Sequence, residues 1–342
     1  MMDKKNVLIC GATGYIGLQL TKLLCKHKKV NIKYLCGSTS VGKKIDSYEE
    51  DLKRYKLPKI SKFKKEYLLD VDIIFTALPN GEAQSISKFL NKNNLLIDLA
   101  ADFRLNNKKD YEKWYKIKHK ALNQIKKSIY SIPEISGKLI KKFPIVSCPG
   151  CYPTSVLIPL IPLIKKNLIN NQTIIIDSKS GYSGAGRGVH KKYKDKNLYE
   201  SLSAYGLANH RHNSEIQQEL DLKTGKKNKF HFTPHLTPMF RGILSTIYVD
   251  LKKGVNLNKI INVLNIQYKN QKFIKISKIN TFLSTNDVIN TNNCLISVCE
   301  SKYKDKIIIL SAIDNLIKGG GGQAVQNMNN YYGFNQSEGL NV

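Results

Sequence analysis

The sequence predicts an α/β protein of two domains, in which a doubly wound parallel-sheet domain is followed by an α+β domain. Three observations support this prediction. The chain has 342 residues, of which 42% are hydrophobic, and is therefore long enough to bury two cores. It opens with a short apolar run, a glycine-rich turn and a helical pattern of leucines. After about residue 150, strand-like runs follow one another with fewer helical patterns between them.

The first domain opens with a strand and a glycine-rich turn. Lys5–Cys10 has the pattern of a buried strand, residues 11–17 read Gly-Ala-Thr-Gly-Tyr-Ile-Gly, and a second strand is predicted at Val30–Cys36. Glycines in this context let the backbone approach a pyrophosphate held at a helix N-terminus, as in a Rossmann-type domain. A purely structural turn is the alternative. The predicted cofactor contacts are Gly11, Thr13, Gly14, Tyr15, Ile16 and Gly17.

The end of the second predicted strand indicates which dinucleotide binds. NAD sites usually place an acid there to hold the ribose 2′-hydroxyl. This chain instead has hydroxyls and lysines between residues 37 and 44. We therefore predict NADP, with Ser38, Ser40 and Lys43 near its 2′-phosphate, whereas a solvated lysine-rich loop is the alternative.

Further strands are predicted along both domains. In the first domain, Val71–Thr76 and Leu95–Leu99 end in polar loops, where an open parallel sheet binds its ligands, and residues 106–129 read as a charged surface segment. A last helix, Gln323–Tyr332, is expected to return to this domain, which gives predicted bounds of 1–150 with 315–342, and 151–314. The strands predicted for the second domain are Thr173–Ser178, Lys229–Thr233, Gly242–Leu251, Lys272–Ile279, Leu295–Cys299 and Lys306–Ala312.

Cys151 is the predicted nucleophile. It follows Pro149-Gly150, which turns the chain, and precedes an apolar run that predicts a helix. A thiol at a helix N-terminus meets unpaired N–H groups and the positive end of the helix dipole, and both favour the thiolate. A buried structural cysteine is the alternative. Cys148 completes a C-x-x-C spacing, which leaves a redox dithiol open as a further possibility.

Two histidines and a glutamate are the predicted acid–base groups. His212 and Glu215 are three residues apart, so both lie on one side of a helix if one begins there. A carboxylate can then fix the tautomer of the imidazole. His210 is the other candidate. We predict no metal, because the i,i+2 spacing of the histidines does not share one helical face and no nearby cysteine completes a ligand set.

The net charge of +29 does not, in our interpretation, indicate a nucleic-acid partner. The excess is lysine spread along the chain among abundant Asn and Ile, as A/T-rich codons would produce. With no visible signal peptide or membrane span, and an odd number of scattered cysteines, we expect a cytoplasmic protein that acts on a small molecule. Arginine is scarce, so those retained in motifs are the predicted bidentate substrate contacts: Arg104, Arg187, Arg211 and Arg241.

Together the motifs resemble those of N-acetyl-gamma-glutamyl-phosphate reductases. The matching segments run in family order from residue 11 to about 340: GATGYIG, LPNGEAQ, DLAADFRL, PGCYPT, SGYSGAGRG, YGLANHRHNSEI, FTPHLTPMFRGIL and IDNLIKGGGGQAVQNMN. The resemblance implies a catalytic domain of the semialdehyde/glyceraldehyde-phosphate dehydrogenase type in a homo-oligomer, a dimer or tetramer. It also implies NADPH-dependent reduction of N-acetylglutamyl 5-phosphate in arginine biosynthesis, through a thioacyl intermediate on Cys151. The implied further cofactor contacts are Pro79, Gly184, Ala185, Asn315 and Gly321.

Other functions remain open at this point. The enzymatic alternatives are aspartate-semialdehyde dehydrogenase, which should lack PGCYPT and HRH-x-x-E, and a reductase of carrier-linked glutamate or aminoadipate. A regulatory or nucleic-acid-binding protein on a borrowed reductase fold should have lost the nucleophile or the histidine. The chain departs from the common family pattern at three places. It has Cys148 where the family commonly has Asn, and Asn80 where the family commonly has His. It has four glycines at Gly319–Gly322 where the family has Gly-Ala-Ser-Gly. None of these departures changes Cys151, His212 or Glu215.

Overall fold

The computed structural model describes residues 4–187 and 200–342, which divide into two compact units. Residues 4–149 form the first unit together with Gly320–Asn341, and the second unit is Gly150–Gly319. Each unit has its own β-sheet.

The first unit is built on a six-stranded sheet in which every neighbouring pair is parallel. Its strand order is β2-β1-β3-β4-β6-β5. Central strands such as Ile-Ile-Phe-Thr and Leu-Leu-Ile-Asp are buried along their whole length, as expected for a parallel sheet covered on both faces. The elements are β1 Lys5–Cys10, α1 Tyr15–Cys25, β2 Val30–Cys36, β3 Ile73–Thr76, α2 Glu82–Ser87, β4 Leu95–Asp98, α3 Lys108–Tyr115, α4 Leu122–Ile125, β5 Ser128–Tyr130, α5 Pro133–Ser136 and β6 Ile145–Ser147.

The chain changes its winding direction between β1 and β3. It runs from β1 outward to β2 and then crosses back to β3, which creates the crevice where open parallel sheets bind ligands. Gly11, with φ +83°, lies at this crevice, and a Cβ there would come within 2.2 Å of the Ala77 carbonyl oxygen. A Cβ at Gly17 would lie 2.1 Å from the Gly11 carbonyl oxygen. These two glycines therefore let α1 and the loop after β3 approach β1 closely.

Parts of the first unit differ from the sequence-based expectation. Residues 106–129 are not simply a surface segment, because Tyr111, Tyr115 and His119 are buried. The Tyr111 hydroxyl donates to Asp102 Oδ1 at 2.7 Å, which satisfies its polar end inside the core. The many lysines around it conceal this apolar face in the sequence. Strands β5 and β6 were not predicted, since three residues are too few to show a period.

The second unit contains a mixed seven-stranded sheet of order β11-β12-β13-β10-β7-β9-β8. In β10, buried residues alternate with more exposed ones, which is the pattern of a sheet with one covered face. The elements are α6 Cys151–Lys165, β7 Ile174–Gly181, β8 Ser203–Ala204, α7 His212–Thr224, β9 Phe230–Thr237, β10 Ile243–Asp250, α8 Leu257–Tyr268, β11 Ile274–Ile276, β12 Cys294–Glu300 and β13 Lys306–Ile313.

Helix α6 forms much of the core of the second unit. Every residue from Tyr152 to Ile164 is buried, and the helix continues through Pro159 and Pro162. Its packing partners include α7, α8, β10 and β13. A helix that is apolar on all sides is expected in the centre of a domain. Among the described residues, no helix combines the length and apolar character needed to cross a bilayer.

The last helix, α9 Gly322–Tyr332, packs within the first unit. Asn327 bonds to Ser131 through their side chains at 2.6 Å, and Gln326 Nε2 donates to Glu134 Oε1 at 2.9 Å. Segments on both sides of residues 150–319 therefore belong to the first unit.

Candidate active site

Cys151 is the first residue of α6. Gly150 caps the helix in an extended conformation and supplies no side chain to occupy the first-turn N–H groups. The Cys151 side chain, which is only partly buried, therefore lies at the positive end of the α6 dipole. This is the helix start that the Pro-Gly turn and the apolar run predicted.

Glu215 is connected to the turn that presents Cys151. The side chain is completely buried, and its Oε2 accepts a hydrogen bond from the Gly150 main-chain N–H at 2.9 Å. Its Oε1 lies 3.7 Å from His212 Nε2. Both residues belong to the first turn of α7, so the predicted i,i+3 pairing is present. The bond to Gly150 is an additional role that the spacing alone did not indicate.

His212 packs directly on Gly150. The imidazole is buried, and a Cβ built on Gly150 would lie 2.4 Å from His212 Nε2 and 2.6 Å from its Cε1. No side chain larger than hydrogen fits between them. The glycine before Cys151 is therefore required for the close approach of the imidazole, and it also forms the turn.

His210 lies in an aromatic cluster beside His212. Its ring meets the His212 ring edge to face, with centroids 4.7 Å apart, and its Nδ1 accepts the His212 main-chain N–H at 3.2 Å. Burial lowers the pKa of His210 to about 4, and the Arg211 charge adds to the effect. At neutral pH the His210 ring is therefore uncharged and carries its proton on Nε2, since Nδ1 is already an acceptor. Tyr152, Tyr205 and Phe232 complete the cluster.

Gly319 is a second close neighbour of the nucleophile. A Cβ at this position would lie 2.7 Å from Cys151 Cβ and 3.2 Å from Cys151 Cα. The sequence analysis assigned the four-glycine run to the cofactor side and missed this contact. The run itself was the available signal, because consecutive glycines often mark close backbone approach.

The four predicted substrate arginines occupy two kinds of position. Arg104 is buried, and its guanidinium donates to the carbonyl oxygens of Leu99 and Cys148, both at 2.9 Å. Arg241 pairs with buried Asp314 at 3.2 Å and donates to Asn290 Oδ1 at 2.6 Å. These two arginines hold main chain and loops together.

Arg187 and Arg211, by contrast, are exposed. Arg211 immediately precedes the first turn of α7, one residue before His212. Arg187 ends the described segment that follows the turn Tyr182–Ala185. Of the four arginines, these two have side chains at the surface.

A cavity of about 460 Å³ lies in the first unit at the carboxyl ends of β1, β2 and β3. Gly14 caps α1 without a side-chain hydrogen bond, and the N-terminus of a helix favours an anion such as a pyrophosphate. The residues present therefore fit a dinucleotide. Five predicted cofactor residues line this cavity: Gly11, Thr13, Gly14, Ser38 and Pro79.

Other predicted cofactor residues of the first unit lie around this cavity rather than on its wall. Tyr15, Ile16 and Gly17 form the first turn of α1. Ser40 is buried, with its Oγ 3.4 Å from Thr13 Oγ1, so it supports a residue of the wall. Lys43 is exposed. The sequence analysis missed several wall residues, among them Lys62, Phe63, Glu82, Ser85 and Ile86.

The remaining predicted cofactor residues are distributed over both units. Gly184 and Ala185 are exposed in the second unit. Asn315 is buried there, where its Oδ1 accepts the Gly242 N–H at 2.7 Å and its Nδ2 donates to Ser183 Oγ at 2.9 Å. Gly321 is buried at the start of α9 in the first unit. Asn315 therefore joins two loops of its own unit.

The seven cysteines form no disulfide. Cys148 is buried, and burial raises the pKa of its thiol to about 12. Its Sγ accepts from Asn327 Nδ2 at 3.6 Å. Within residues 4–187 and 200–342, no group of three His, Cys, Asp or Glu side chains is placed to hold a metal ion.

Comparison with known families covers both units. The model described as "Semialdehyde dehydrogenase, NAD binding domain" matches residues 6–143, and "Semialdehyde dehydrogenase, dimerisation domain" matches residues 151–315. The N-acetyl-gamma-glutamyl-phosphate reductase of Desulforamulus reducens is 40% identical over 98% of this chain and 97% of its own. That of Thermoanaerobacter pseudethanolicus is 42% identical over 98% of both chains. A probable chloroplastic form from Arabidopsis thaliana is 40% identical over 97% of this chain and 83% of its own.

Solved structures with the same fold are aspartate semialdehyde dehydrogenases. The Vibrio cholerae enzyme II, complexed with ASA, has a TM-score of 0.72 at 17% identity and covers 96% of this chain and 98% of its own. The Candida albicans enzyme, solved with NADP, has a TM-score of 0.69 at 17% identity and covers 96% and 99%. These likenesses confirm the predicted fold class. From the full-length identities of 40% or more and the two matching domains, the chain belongs to the N-acetyl-gamma-glutamyl-phosphate reductase family of semialdehyde dehydrogenases.

Proposed function

We propose that the chain reduces N-acetyl-L-glutamyl 5-phosphate with NADPH to N-acetyl-L-glutamate 5-semialdehyde and phosphate in arginine biosynthesis, through a thioacyl intermediate on Cys151. Family membership supports the overall reaction. The observation that carries the mechanism is the hydrogen bond from the Gly150 N–H to Glu215 Oε2, which connects the start of the nucleophile helix to the His212–Glu215 pair.

The first half-reaction forms a thioester. The Cys151 thiolate attacks the acyl carbon, the carbonyl oxygen becomes an oxyanion, and the bond to phosphate breaks as the carbonyl re-forms. Main-chain N–H groups at the start of α6 are the proposed donors for the oxyanion, because the positive end of the helix dipole lies there. The α6 dipole stabilises negative charge on sulfur both before the attack and when the thiolate is released.

The second half-reaction yields the aldehyde. NADPH, when bound, supplies a hydride to the thioester carbon. His212 donates a proton to the substrate oxygen as it gains charge, and takes it back as the C–S bond breaks and the aldehyde forms. The same imidazole takes the thiol proton of Cys151 at the start of the cycle. The net change consumes one acyl phosphate, one NADPH and one proton.

His212 is the proposed acid–base group in preference to His210. The carboxylate of Glu215 lies 3.7 Å from His212 Nε2 and stabilises the imidazolium that forms during proton transfer. His210, in contrast, has a pKa lowered to about 4 by burial, and its Nδ1 already accepts a main-chain N–H. His210 is therefore proposed as a positioning residue that holds the main chain of His212.

The cofactor residues proposed here are those of the first-unit cavity. Gly11, Thr13 and Gly14 surround the open N-terminus of α1, which suits the pyrophosphate, and Ser38 and Pro79 line the same wall. Gly184, Ala185 and Asn315 of the second unit are proposed as further cofactor contacts, and family membership supports them. Arg187 and Arg211 are the proposed contacts for the substrate phosphate and carboxylate, because their side chains are exposed.

We propose a cytoplasmic homo-oligomer. The seven cysteines form no disulfide, which suits a reducing compartment. The family model for the second unit is described as a dimerisation domain. One face of its sheet exposes the cross-strand partners Ile175 and Tyr248, which are 47% and 42% accessible. A second copy covering this face would bury both side chains.

A substrate panel tests the proposed reaction. We would measure phosphate-dependent reduction of NADP with N-acetylglutamate 5-semialdehyde, aspartate 4-semialdehyde and a carrier-linked semialdehyde, under reducing conditions. The proposal expects a kcat/KM for the N-acetyl substrate that exceeds the others by about 100-fold or more. Preference for aspartate or carrier-linked substrate would overturn the pathway assignment, and no turnover of any of them would overturn the enzyme assignment.

A further inference from the structure

A short segment of backbone extends the first sheet beyond β2. Cys36 and Ser61 form a parallel bridge, the Gly37 N–H donates to the Ser61 carbonyl at 3.0 Å, and the Ser61 N–H donates to the Leu35 carbonyl at 2.9 Å. Residues 60–62 therefore run beside the carboxyl end of β2. This fixes the main chain of Lys62 at the edge where β2 enters its polar loop.

Lys62 lies on the wall of the cofactor cavity at this edge. Ser38, Thr39 and Phe63 line the same cavity, and Ser38 and Thr39 follow the end of β2 within three residues. Among the described residues that line the cavity, Lys62 is the single lysine or arginine. Its side chain is exposed to solvent. The ammonium group can therefore reach a ligand without first breaking a buried ion pair.

The acid on the cavity wall belongs to another side of the cavity. Glu82 opens α2, which follows β3, whereas Lys62 lies outside β2. Because the sheet order is β2-β1-β3, β1 separates the strands that position these two charges. An anionic group near the end of β2 therefore lies on the side of Lys62 and away from the strand that leads to Glu82.

Lys43, the lysine predicted from the sequence, is not part of this wall. Lys43 is exposed and is not among the residues that line the cavity. Its main-chain carbonyl accepts the Ile60 N–H at 3.0 Å, and the Ser40 carbonyl accepts the Lys43 N–H at 3.2 Å. The loop between residues 37 and 43 thus folds back onto the segment that leads to Lys62.

We propose that Lys62, together with the hydroxyls of Ser38 and Thr39, binds the 2′-phosphate of NADP and so determines the preference for NADP over NAD. In a sheet of this type the adenosine ribose lies at the end of the second strand, where these three residues meet. A lysine supplies a point charge to a phosphate, and the hydroxyls supply hydrogen bonds. The inference deepens the proposed function, because it assumes that the first-unit cavity holds the dinucleotide.

The test uses fragments of the cofactor and requires no turnover. Binding of 2′,5′-ADP and of 5′-AMP to the full-length protein is measured by titration calorimetry for wild type, Lys62→Met, Lys62→Arg, Lys43→Met and the matched control Lys65→Met, which changes an exposed lysine outside the cavity wall. We expect Lys62→Met to weaken the binding of 2′,5′-ADP about tenfold or more, while the affinity for 5′-AMP changes less than about twofold. Lys62→Arg and Lys65→Met should retain the wild-type preference, and Lys43→Met should reduce it less than Lys62→Met does. The ratio of kcat/KM for NADP and NAD should fall by the same factor in Lys62→Met.

Two results would overturn the inference. One is an unchanged preference in Lys62→Met, with or without a loss in Lys43→Met. The other is an equal loss of both ligands, which would show that Lys62 supports the cavity rather than the phosphate. The outcome is separate from that of the proposed reaction. If wild type binds 2′,5′-ADP through Lys62 but turns over no semialdehyde, the proposed reaction is wrong and this inference still holds.

Discussion

Glu215 Oε2 accepts the main-chain N–H of Gly150 at 2.9 Å, so a buried carboxylate on α7 holds the residue that precedes the nucleophile. The same side chain places its other oxygen 3.7 Å from His212 Nε2. One glutamate thereby connects the two halves of the proposed chemistry, the thiol and the acid–base imidazole. Because the two oxygens have different contacts, the charge of Glu215 and its role as a hydrogen-bond acceptor can be tested separately.

Replacing Glu215 by Gln removes the charge while an amide oxygen remains to accept the Gly150 N–H. We expect kcat to fall by about 10- to 100-fold, because the imidazolium of His212 loses its stabilising charge. The free energy of unfolding in urea should change little. Glu215→Ala should cost a further ~1–3 kcal/mol of stability, since the buried Gly150 N–H loses its acceptor. A wild-type kcat in Glu215→Gln would show that the carboxylate charge has no role in catalysis, and an equal stability loss in both variants would show that the amide oxygen does not replace the acceptor of the Gly150 N–H.

Gly150→Ala should displace the His212 imidazole. The new Cβ would lie 2.4 Å from His212 Nε2, a separation that no real structure tolerates, so the ring must move. We expect a loss of kcat of about 100-fold or more, as for displaced catalytic groups. Thermal unfolding serves as the control for folding. A variant with near wild-type kcat would contradict the assignment of His212.

The two histidines should respond differently to replacement. His212→Asn is expected to lower kcat by about 100- to 10,000-fold, the range for loss of a general acid–base group. His210→Asn should retain most of the activity, because the Asn side-chain oxygen can still accept the His212 N–H. Steady-state kinetics of the two variants at saturating substrate distinguishes them. If His210→Asn proves the more damaging, the acid–base roles assigned here are reversed.

Glu219 makes stability dependent on pH. Burial raises its pKa to about 7, from an ordinary value near 4.5, although Lys223 and Gln218 oppose the rise. The folded protein therefore binds this proton more tightly than the unfolded chain does. Protonated Glu219 contributes to the free energy of unfolding below about pH 4.5, and this contribution is lost as the pH rises to 7. Urea unfolding of wild type and Glu219→Gln between pH 5 and 8 should show that the stability of wild type relative to the variant falls as the pH rises.

Exposed Glu66 offers the matched control for this measurement, since Glu66→Gln should leave the slope as it is in wild type. Asp98 contributes a slope of the same sign, because burial and the neighbouring Asp102 raise its pKa to about 7 as well. The Glu219 contribution is therefore the difference between wild type and variant. A slope that is equal in wild type and Glu219→Gln would contradict the assignment.

Local features of the fold were predictable from the sequence. The Pro-Gly turn and the apolar run place the start of α6 at Cys151, and the glycine run after β1 places the start of α1. Each of these helix starts depends on a few residues that are close in the sequence. Turn residues and hydrophobic periodicity are therefore enough to predict them. The family resemblance is likewise carried by short motifs, and the full-length relatives confirm it.

Contacts between distant parts of the chain were not predictable. Gly150 and Glu215 are 65 residues apart, and no spacing rule connects them. Lys43 lies in the predicted loop, but it is Lys62, on a segment that returns beside β2, that lines the cavity. Arg104 was predicted as a substrate contact because arginine is scarce, and nothing in the sequence indicates that its guanidinium donates to two main-chain carbonyls. Contacts of this kind join residues that are distant in the sequence. Composition and hydrophobic periodicity do not predict which of them meet.

The most direct test of the account is to isolate the acyl-enzyme. Wild type and Cys151→Ser are incubated with N-acetylglutamyl 5-phosphate, without NADPH, quenched in acid and examined by intact and peptide mass spectrometry. The account predicts that wild type gains one N-acetylglutamyl group on Cys151, which NADPH then removes as semialdehyde, and that the variant forms no adduct that NADPH can discharge. A wild-type enzyme that turns over the substrate while its Cys151 stays unmodified, or an adduct on another cysteine, would contradict the central claim.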